Sequence, residues 1–323
     1  MLSRVADTLY WMSRYLERSE NISRFIDVNW HLSLDQPSDG SQEWSALISA
    51  TGDGALYLKA HQNFSKENVI SFLIFDTDYP NSIISCLRAA RENARTVRDI
   101  ISTDMWEQIN SFYHFVEKTG KYQLSVYENP NAFCEQVRLR LMTIGGITSE
   151  TMLHGDAWHF IRLGRYLERA DKTSRILDVK YFTLLPNLAY VGTAYDDVQW
   201  AALLRATGGL ESYRQRCGRI QPNRVAEFLV FDRQFARSIL RCLNAAQASL
   251  HEITGTPQGT YQNVAEQRLG ALCAELGFMD IEHVFGMGLH EFTDQLQLKI
   301  NRVNDTIALT FFGYVFEGNG GDS

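Results

Sequence analysis

Apolar and small residues recur from the start of the chain at steps of three and four: Leu2, Val5, Leu9, Met12, Leu16, Ser19, Ser23 and Ile26. That spacing places them on one face of an α-helix. The same register returns as Leu153, Asp156, Phe160, Leu163, Leu167, Ala170, Ser174 and Leu177. Small residues in these seams let a second helix come close. Trp11, Tyr15, Ile22 and Phe25 lie away from the first seam, so this helix is apolar on two sides, as an interior helix is. Between the apolar faces runs a polar stripe, Arg14, Glu17, Asn21 and Arg24, matched later by Arg165, Glu168, Lys172 and Arg175. Arg18 and Arg169 lie further round. The pattern predicts two long helices over residues 2–32 and 152–184. Their stripes should face each other inside the body, because charged residues flanked by apolar faces are buried and need partners.

The two helices are copies in sequence. Arg14-Tyr15-Leu16-Glu17-Arg18 recurs as Arg165-Tyr166-Leu167-Glu168-Arg169, Ser23-Arg24 as Ser174-Arg175, and Asp27-Val28 as Asp178-Val179, all 151 positions apart. Beyond them the offset becomes 156. Trp44-Ser45-Ala46-Leu47-Ile48 matches Trp200-Ala201-Ala202-Leu203-Leu204, and Phe72-Leu73-Ile74-Phe75-Asp76 matches Phe228-Leu229-Val230-Phe231-Asp232. Five residues are thus expected to be inserted around residues 185–196, in a loop, where insertions are tolerated. Repetition at a fixed offset reads as internal duplication. The expected fold class is all-α: a multi-helix body of two duplicated halves around two long central helices with pseudo-two-fold symmetry. The first helical repeat covers residues 1–150 and the second 151–313, packed with it as one domain. Residues 314–323 are expected to form a flexible tail.

Local signals fill in the rest. Residues 35–41 carry a loop signal. The apolar runs at 72–76 and 228–232 look strand-like in isolation. They are read as the ends of short helices starting near Ser65 and Pro222, with Asp76 and Asp232 as N-caps of the following helices. Thr103-Asp104 reads as another N-cap. Asn129-Pro130 opens a helix with Phe133, Val137, Leu141 and Ile144 on its face, and Gly145-Gly146 is expected to stop or bend it. Helices are expected near 261–276 and 283–312. The latter has Phe292, Leu296, Ile300, Val303 and Ile307 inward and His290, Glu291 and Asp294 on its solvated face. After Ser82-Ile83 and Ser238-Ile239 the halves diverge. The first carries Arg88, Arg91, Arg95 and Arg98 where the second has Asn244, Gln247, His251 and Thr254.

Composition narrows the class. The chain has 323 residues, 45% hydrophobic and 21% charged, which is ordinary for a globular protein. Six prolines suit a helical chain. A net charge of −7 and no basic run with interleaved aromatics argue against nucleic acid. No apolar stretch reaches the roughly 18 residues of a membrane span, and no secretory signal opens the chain, so no membrane association and a cytoplasmic location are expected. Five cysteines without a Cys-x-x-Cys pair argue against a disulfide framework or zinc ribbon. Cys86 and Cys242 occupy matching places and read as core thiols.

No phosphate-binding glycine loop, dinucleotide fingerprint or nucleophile elbow is present. Asp156/His159 and Asp280/His283 are unrelated to each other by the repeat, so no metal and no cofactor are expected. The remaining candidate chemistry is the charge cluster Arg14, Glu17, Arg18, Arg24, Arg165, Glu168, Arg169 and Arg175. Two readings stand open. It is either an ion-pair network that docks two central helices, or a site where arginines bind an anionic ligand with Glu as polar partner or base.

The opening Leu2-Ser3-Arg4-Val5-Ala6-Asp7, with Tyr10-Trp11-Met12 and Arg14 to Asn21, resembles the bacterial alpha-E family. So does Leu163-Gly164 through Asp171. That family is named for an all-helical domain with a Glu-Arg motif, and the resemblance extends over residues 1–313. It implies a context. Alpha-E proteins are commonly encoded beside circularly permuted ATP-grasp enzymes and transglutaminase-like proteases, in systems that make or modify peptides through ATP-driven amide bonds. The family motif falls here on Arg14, Glu17, Arg18, Arg165, Glu168 and Arg169. Three functions follow for comparison. One is a non-catalytic partner of an ATP-grasp-type ligase that binds the ligase, a peptide or an anionic ligand. The second is an enzyme using the Glu-Arg cluster on a peptide-like substrate. The third is a purely structural homo-oligomer.

Overall fold

The computed structural model describes residues 1–34, 41–184 and 194–314, and among these it is all-α with no strand. The helices of the first half are α1 (Ser3–Leu34), α2 (Ser41–Thr51), α3 (Gly54–Ala60), α4 (Lys66–Ile74), α5 (Ile83–Thr96), α6 (Thr103–Thr119), α7 (Gln123–Glu128) and α8 (Pro130–Thr151). Those of the second are α9 (Asp156–Leu184), α10 (Ala194–Thr207), α11 (Leu210–Cys217), α12 (Pro222–Phe231), α13 (Ile239–Thr254), α14 (Val264–Phe278), α15 (Ile281–Met287) and α16 (Leu289–Ile307). A π-helical turn, Ala308–Phe312, extends α16.

The two long helices, α1 and α9, pack against each other at the centre. Around them the contacts run in parallel: α5 and α8 lie on α1, as α13 and α16 lie on α9. The second helix of each half crosses over, α2 onto α9 and α10 onto α1. The seam explains this packing. Leu9, Met12, Ile26, Leu163, Leu167, Ala170 and Leu177 are fully buried in one continuous apolar core, and on the other side of α1 so are Ile22 and Phe25.

The close approach of α1 and α9 is concentrated at Gly164. A Cβ there would overlap the Tyr10 carbonyl oxygen and the Ser13 hydroxyl, so α9 touches the backbone of α1 at this point. This contact sets the heights at which the flanking charged residues face each other.

The ends of the elements differ from the sequence reading in several places. Leu2 and Leu153 are exposed, and α9 begins at Asp156, so each seam starts a turn later than its pattern implies. The N-caps of α5 and α13 are Ser82 and Ser238, not Asp76 and Asp232. The two aspartates sit six residues upstream, where their Oδ1 atoms accept backbone N–H bonds from Asp78 and Tyr79, and from Gln234 and Phe235. They shape the turn between helices, as Asx side chains do. Ser102, one residue before the expected cap, accepts from the Met105 N–H at the start of α6. α8 runs straight through Gly145-Gly146, ending at Thr151. The expected helix over 283–312 is divided at Gly288, whose φ of +103° suits glycine. His290 is not on a solvated face: its Nδ1 lies 2.7 Å from Asp178 Oδ1 and ties α16 to α9. The runs at 72–76 and 228–232 do end short helices, α4 and α12, as expected. The loop signal at 35–40, most of the 185–196 insertion and the tail beyond residue 314 lie outside the described residues.

Helix propensity alone says that Gly164→Ala in mid-helix should add roughly 1 kcal/mol of stability. The contact with Tyr10 and Ser13 says the reverse. Urea unfolding of the variant should show a loss of about 1–3 kcal/mol, the usual range for overpacking. A stabilised variant would mean that α1 and α9 are not in backbone contact here.

Candidate functional site

The polar stripes of α1 and α9 meet across the interface, and they pair reciprocally. Glu168 on α9 is wholly buried; Arg18 of α1 holds it with two bonds, Nε to Oε1 at 2.7 Å and Nη2 to Oε2 at 3.2 Å. Arg14 adds Nε to Oε2 at 2.8 Å. In the opposite direction, Arg169 of α9 holds Glu17 of α1 through Nε at 2.8 Å and Nη2 at 2.7 Å. Arg165 stands 3.5 Å from Glu17 Oε2. Such two-pronged guanidinium–carboxylate contacts fix orientation as well as charge. The Arg165 side chain has room because residue 145 of α8 is glycine: a Cβ there would sit 3.0 Å from the guanidinium.

One turn further along, a second layer of carboxylates lies under the first. Glu20 accepts from Arg24 at 2.7 and 3.0 Å, and Asp171 accepts from Arg175 at 3.1 Å. Each of these arginines also reaches the carboxyl end of a crossing helix. Arg24 donates to the Ala206 carbonyl of α10, and Arg175 to the Thr51 carbonyl of α2 at 3.3 Å. Cations are favoured there because the last carbonyls of a helix lack partners.

A third cation bridges each pair of carboxylates, and it comes from a different place on each side. On the Glu17 side Arg237, in the turn before α13, contacts Glu17 Oε1 at 3.2 Å, Asn21 Oδ1 at 3.2 Å and Glu20 Oε1. On the Glu168 side the bridging cation is Lys172, 2.8 Å from Asp171 and 3.8 Å from Glu168. Residue 81, which stands 156 positions before Arg237, is an asparagine and accepts from Arg18 at 2.6 Å. Arginine with Asn21 on one side is thus exchanged for lysine with Asn81 on the other.

The electrostatics follow from this crowding. Burial pushes Glu168 up, but Arg18 and Arg14 outweigh it and hold the carboxyl well below the usual range. Burial is likewise overcome at Glu17 by Arg169 and Arg237, at Glu20 by Arg237 and Arg24, and at Asp171 by Lys172 and Arg175, all of which end below their ordinary values. Arg165 is lowered by the neighbouring Arg169 and by burial. Burial and then Arg24 bring Arg237 down to about 10. Eight cations, Arg14, Arg18, Arg24, Arg165, Arg169, Lys172, Arg175 and Arg237, therefore face four carboxylates, Glu17, Glu20, Glu168 and Asp171. Buried Cys86 and Cys242 lie close by. Burial pushes their thiols up to about 12 and about 11, which makes them poor nucleophiles.

The cluster reaches a cavity on the Glu168 side. It holds about 300 Å³ and is lined by Arg14, Arg18, Lys172 and Arg175 together with Asp53, Tyr79, Asn81 and Asp171. On the Glu17 side the space beside Glu17, Glu20 and Arg165 is about 50 Å³. A larger groove of about 630 Å³ between α13 and α14 is remote from the cluster, and its acid, Glu266, is engaged by Thr254 and the Gln262 N–H.

All eight residues singled out from the sequence belong to this network. Sequence reasoning left out Glu20, Asp171, Lys172 and Arg237 as members of the site. Glu20 and Asp171 had a usable signal, standing four residues before Arg24 and Arg175 at the same 151-residue offset. Arg237 had none, because it sits in a turn that no helical periodicity reaches. Asp280, paired in sequence with His283, caps α15 by accepting the His283 N–H at 2.8 Å.

The family model Alpha-E, described as a predicted alpha-helical domain with a conserved ER motif, matches residues 1–312. An uncharacterized protein of Mycobacterium bovis is 24% identical over 270 residues, covering 78% of this chain and 30% of its own length. Uncharacterized proteins from two strains of Mycobacterium tuberculosis match to the same extent. The chain thus spans about a third of the length of the relatives it matches. No solved structure matches it.

Two outcomes are expected of the network. Glu17→Ala and Glu168→Ala should each cost about 3–5 kcal/mol in denaturant unfolding, since each strands buried arginines. Losses below about 1 kcal/mol in both would describe a solvated pair instead. The pH dependence has a definite sign. Carboxylates with lowered folded pKa values bind fewer protons folded than unfolded, so their stabilisation is present above the unfolded value of about 4.3 and is lost on acidification. The melting temperature should fall steeply below about pH 5. A flat profile down to pH 3 would contradict the lowered values.

Proposed function

The chain belongs to the Alpha-E family, and from that premise we propose that it is a helical accessory protein of an ATP-grasp-type amide-bond ligase system, holding a peptide or other anionic ligand at its Arg/Glu cluster. The observation that carries the ligand-binding part is an open cavity lined by the buried Arg14 and by the partly exposed Arg18, Lys172 and Arg175. Partly exposed cations in the wall of a cavity are available to an anionic group that enters it. The link to a ligase comes from the family resemblance.

The chemistry favours binding over catalysis. Every carboxylate of the cluster is held below its ordinary range by neighbouring cations, whereas a general base works best near the operating pH. The nearby thiols are shifted the wrong way for nucleophilic attack. The relatives support a role alongside other protein parts: in them the matched region is 30% of the chain, so the domain there is one portion of a larger protein. Among the described residues of this chain no helix is long and apolar enough to cross a membrane.

Co-expression with an ATP-grasp-type ligase encoded beside it should give a complex that survives purification, and ligase turnover should change severalfold when this chain is added. The absence of both a complex and any effect on turnover would overturn the proposal.

A further inference from the structure

The cavity beside Glu168 is built asymmetrically. Its wall carries Asp53, whose Oδ2 accepts from the Tyr79 hydroxyl at 2.5 Å and from Asn81 Nδ2 at 3.2 Å. The residues 156 positions later are Gly209, Phe235 and Arg237. There the space is filled: the Phe228 and Phe235 rings stack 4.7 Å apart, a Cβ on Gly209 would press on both, and Arg237 lies on the carboxylates. An acid–phenol–amide trio thus lines an open cavity on one side, where the other side is closed by aromatic rings and a guanidinium.

The second observation is an unmet acceptor. Asp171 lines the cavity and is 4% exposed. Its Oδ2 takes both Lys172 and Arg175, but its buried Oδ1 has no hydrogen-bond partner. A buried carboxylate oxygen without a donor costs free energy until a donor arrives. On the Glu17 side Arg237 and Arg24 both donate to Glu20 Oε1, as Lys172 and Arg175 both donate to Asp171 Oδ2. The cavity therefore combines two demands on a ligand. It presents the carboxylates of Asp171 and Asp53 together with the cations Arg175 and Lys172, whose side chains are 19% and 16% exposed.

We propose that this cavity is a site for a free α-amino acid, its ammonium placed at Asp171 and Asp53 and its carboxylate at Arg175 and Lys172. A volume of about 300 Å³ is at the small end of ligand sites and suits a molecule of this size. The assignment rests on the reading of the cluster as a ligand site and narrows it. An amino acid is the amine partner that an amide-forming ligase would need, and its two charges answer the two signs of charge in the cavity wall.

The test is a binding panel on the full chain by calorimetry: the twenty standard α-amino acids, their N-acetyl forms and their carboxamides. At least one free amino acid should bind, with both N-acetylation and amidation weakening it tenfold or more. Asp53→Asn should weaken the same ligand at least tenfold while the melting curve stays cooperative. Should that variant not fold, Tyr79→Phe, which removes the phenol that orients Asp53, is expected to weaken binding severalfold. An N-acetyl amino acid that binds as tightly as its parent would overturn the zwitterion assignment and leave the anion reading standing. Binding of none of the twenty would overturn it as well. Complex formation with the ligase is read separately, so failure of the accessory role is distinguishable from failure of this site.

Discussion

Two glutamates buried between two helices constrain the rest of this structure. An ionised carboxylate removed from water is tolerated when charged donors surround it closely. Glu168 finds only Lys172, at 3.8 Å, on its own helix, and the arginines one turn before each glutamate, Arg14 and Arg165, reach across to the partner. Each is therefore held by the arginines of the other helix. That requirement sets the register of α1 against α9. It also requires the backbones to be close, which Gly164 permits by resting on the Tyr10 carbonyl. The crossing helices α2 and α10 then end where Arg175 and Arg24 can reach their last carbonyls. Apolar burial drives the assembly, but it is non-directional. The bidentate pairs choose one alignment among several that would bury similar area.

The two sides of the network meet the same charge requirement in different ways. A cation is needed over each pair of carboxylates, and the chain supplies it as Arg237 on one side and as Lys172 on the other. Both choices satisfy the charge. They differ in volume and origin. Arg237 enters from a turn and occupies space, whereas Lys172 comes from α9 itself and leaves the matching position to Asn81. The opened space is where Asp53 and Tyr79 lie. The pairs of the first layer dock the helices, and Asp171 of the second lines the cavity.

Much of this was legible in the residues. The three-and-four spacing and the recurrence at 151 positions located both central helices, and a polar stripe between two apolar faces pointed to pairing for Arg14, Glu17, Arg24, Arg165, Glu168 and Arg175, with Arg18 and Arg169 further round the same helices. What the pattern lacked was depth. Glu20 and Asp171 share the helix with the stripe, but their significance lies in a carbonyl and a cavity contributed by α2, α10 and the turns, which are distant in sequence. Arg237 is invisible to any helical period. Asp76 and Asp232 read as N-caps of the following helices but lie in the turns before them, six residues ahead of Ser82 and Ser238, which take the capping bonds. Gly145-Gly146 looked like a break. In a helix packed on both sides, tertiary contacts outweigh a propensity cost of about 1 kcal/mol per glycine, and the space at Gly145 admits a guanidinium.

The central claim is that cross-helix pairing, and not the presence of charge as such, holds α1 to α9. A double-mutant cycle on Arg18 and Glu168 reads it most directly, with stability measured for Arg18→Met, Glu168→Gln and the two together. The account predicts strong coupling, about 2–3 kcal/mol, because the second substitution removes a partner that the first has already stranded. Additive effects within about 0.5 kcal/mol would show that the two residues do not depend on each other, and would contradict it.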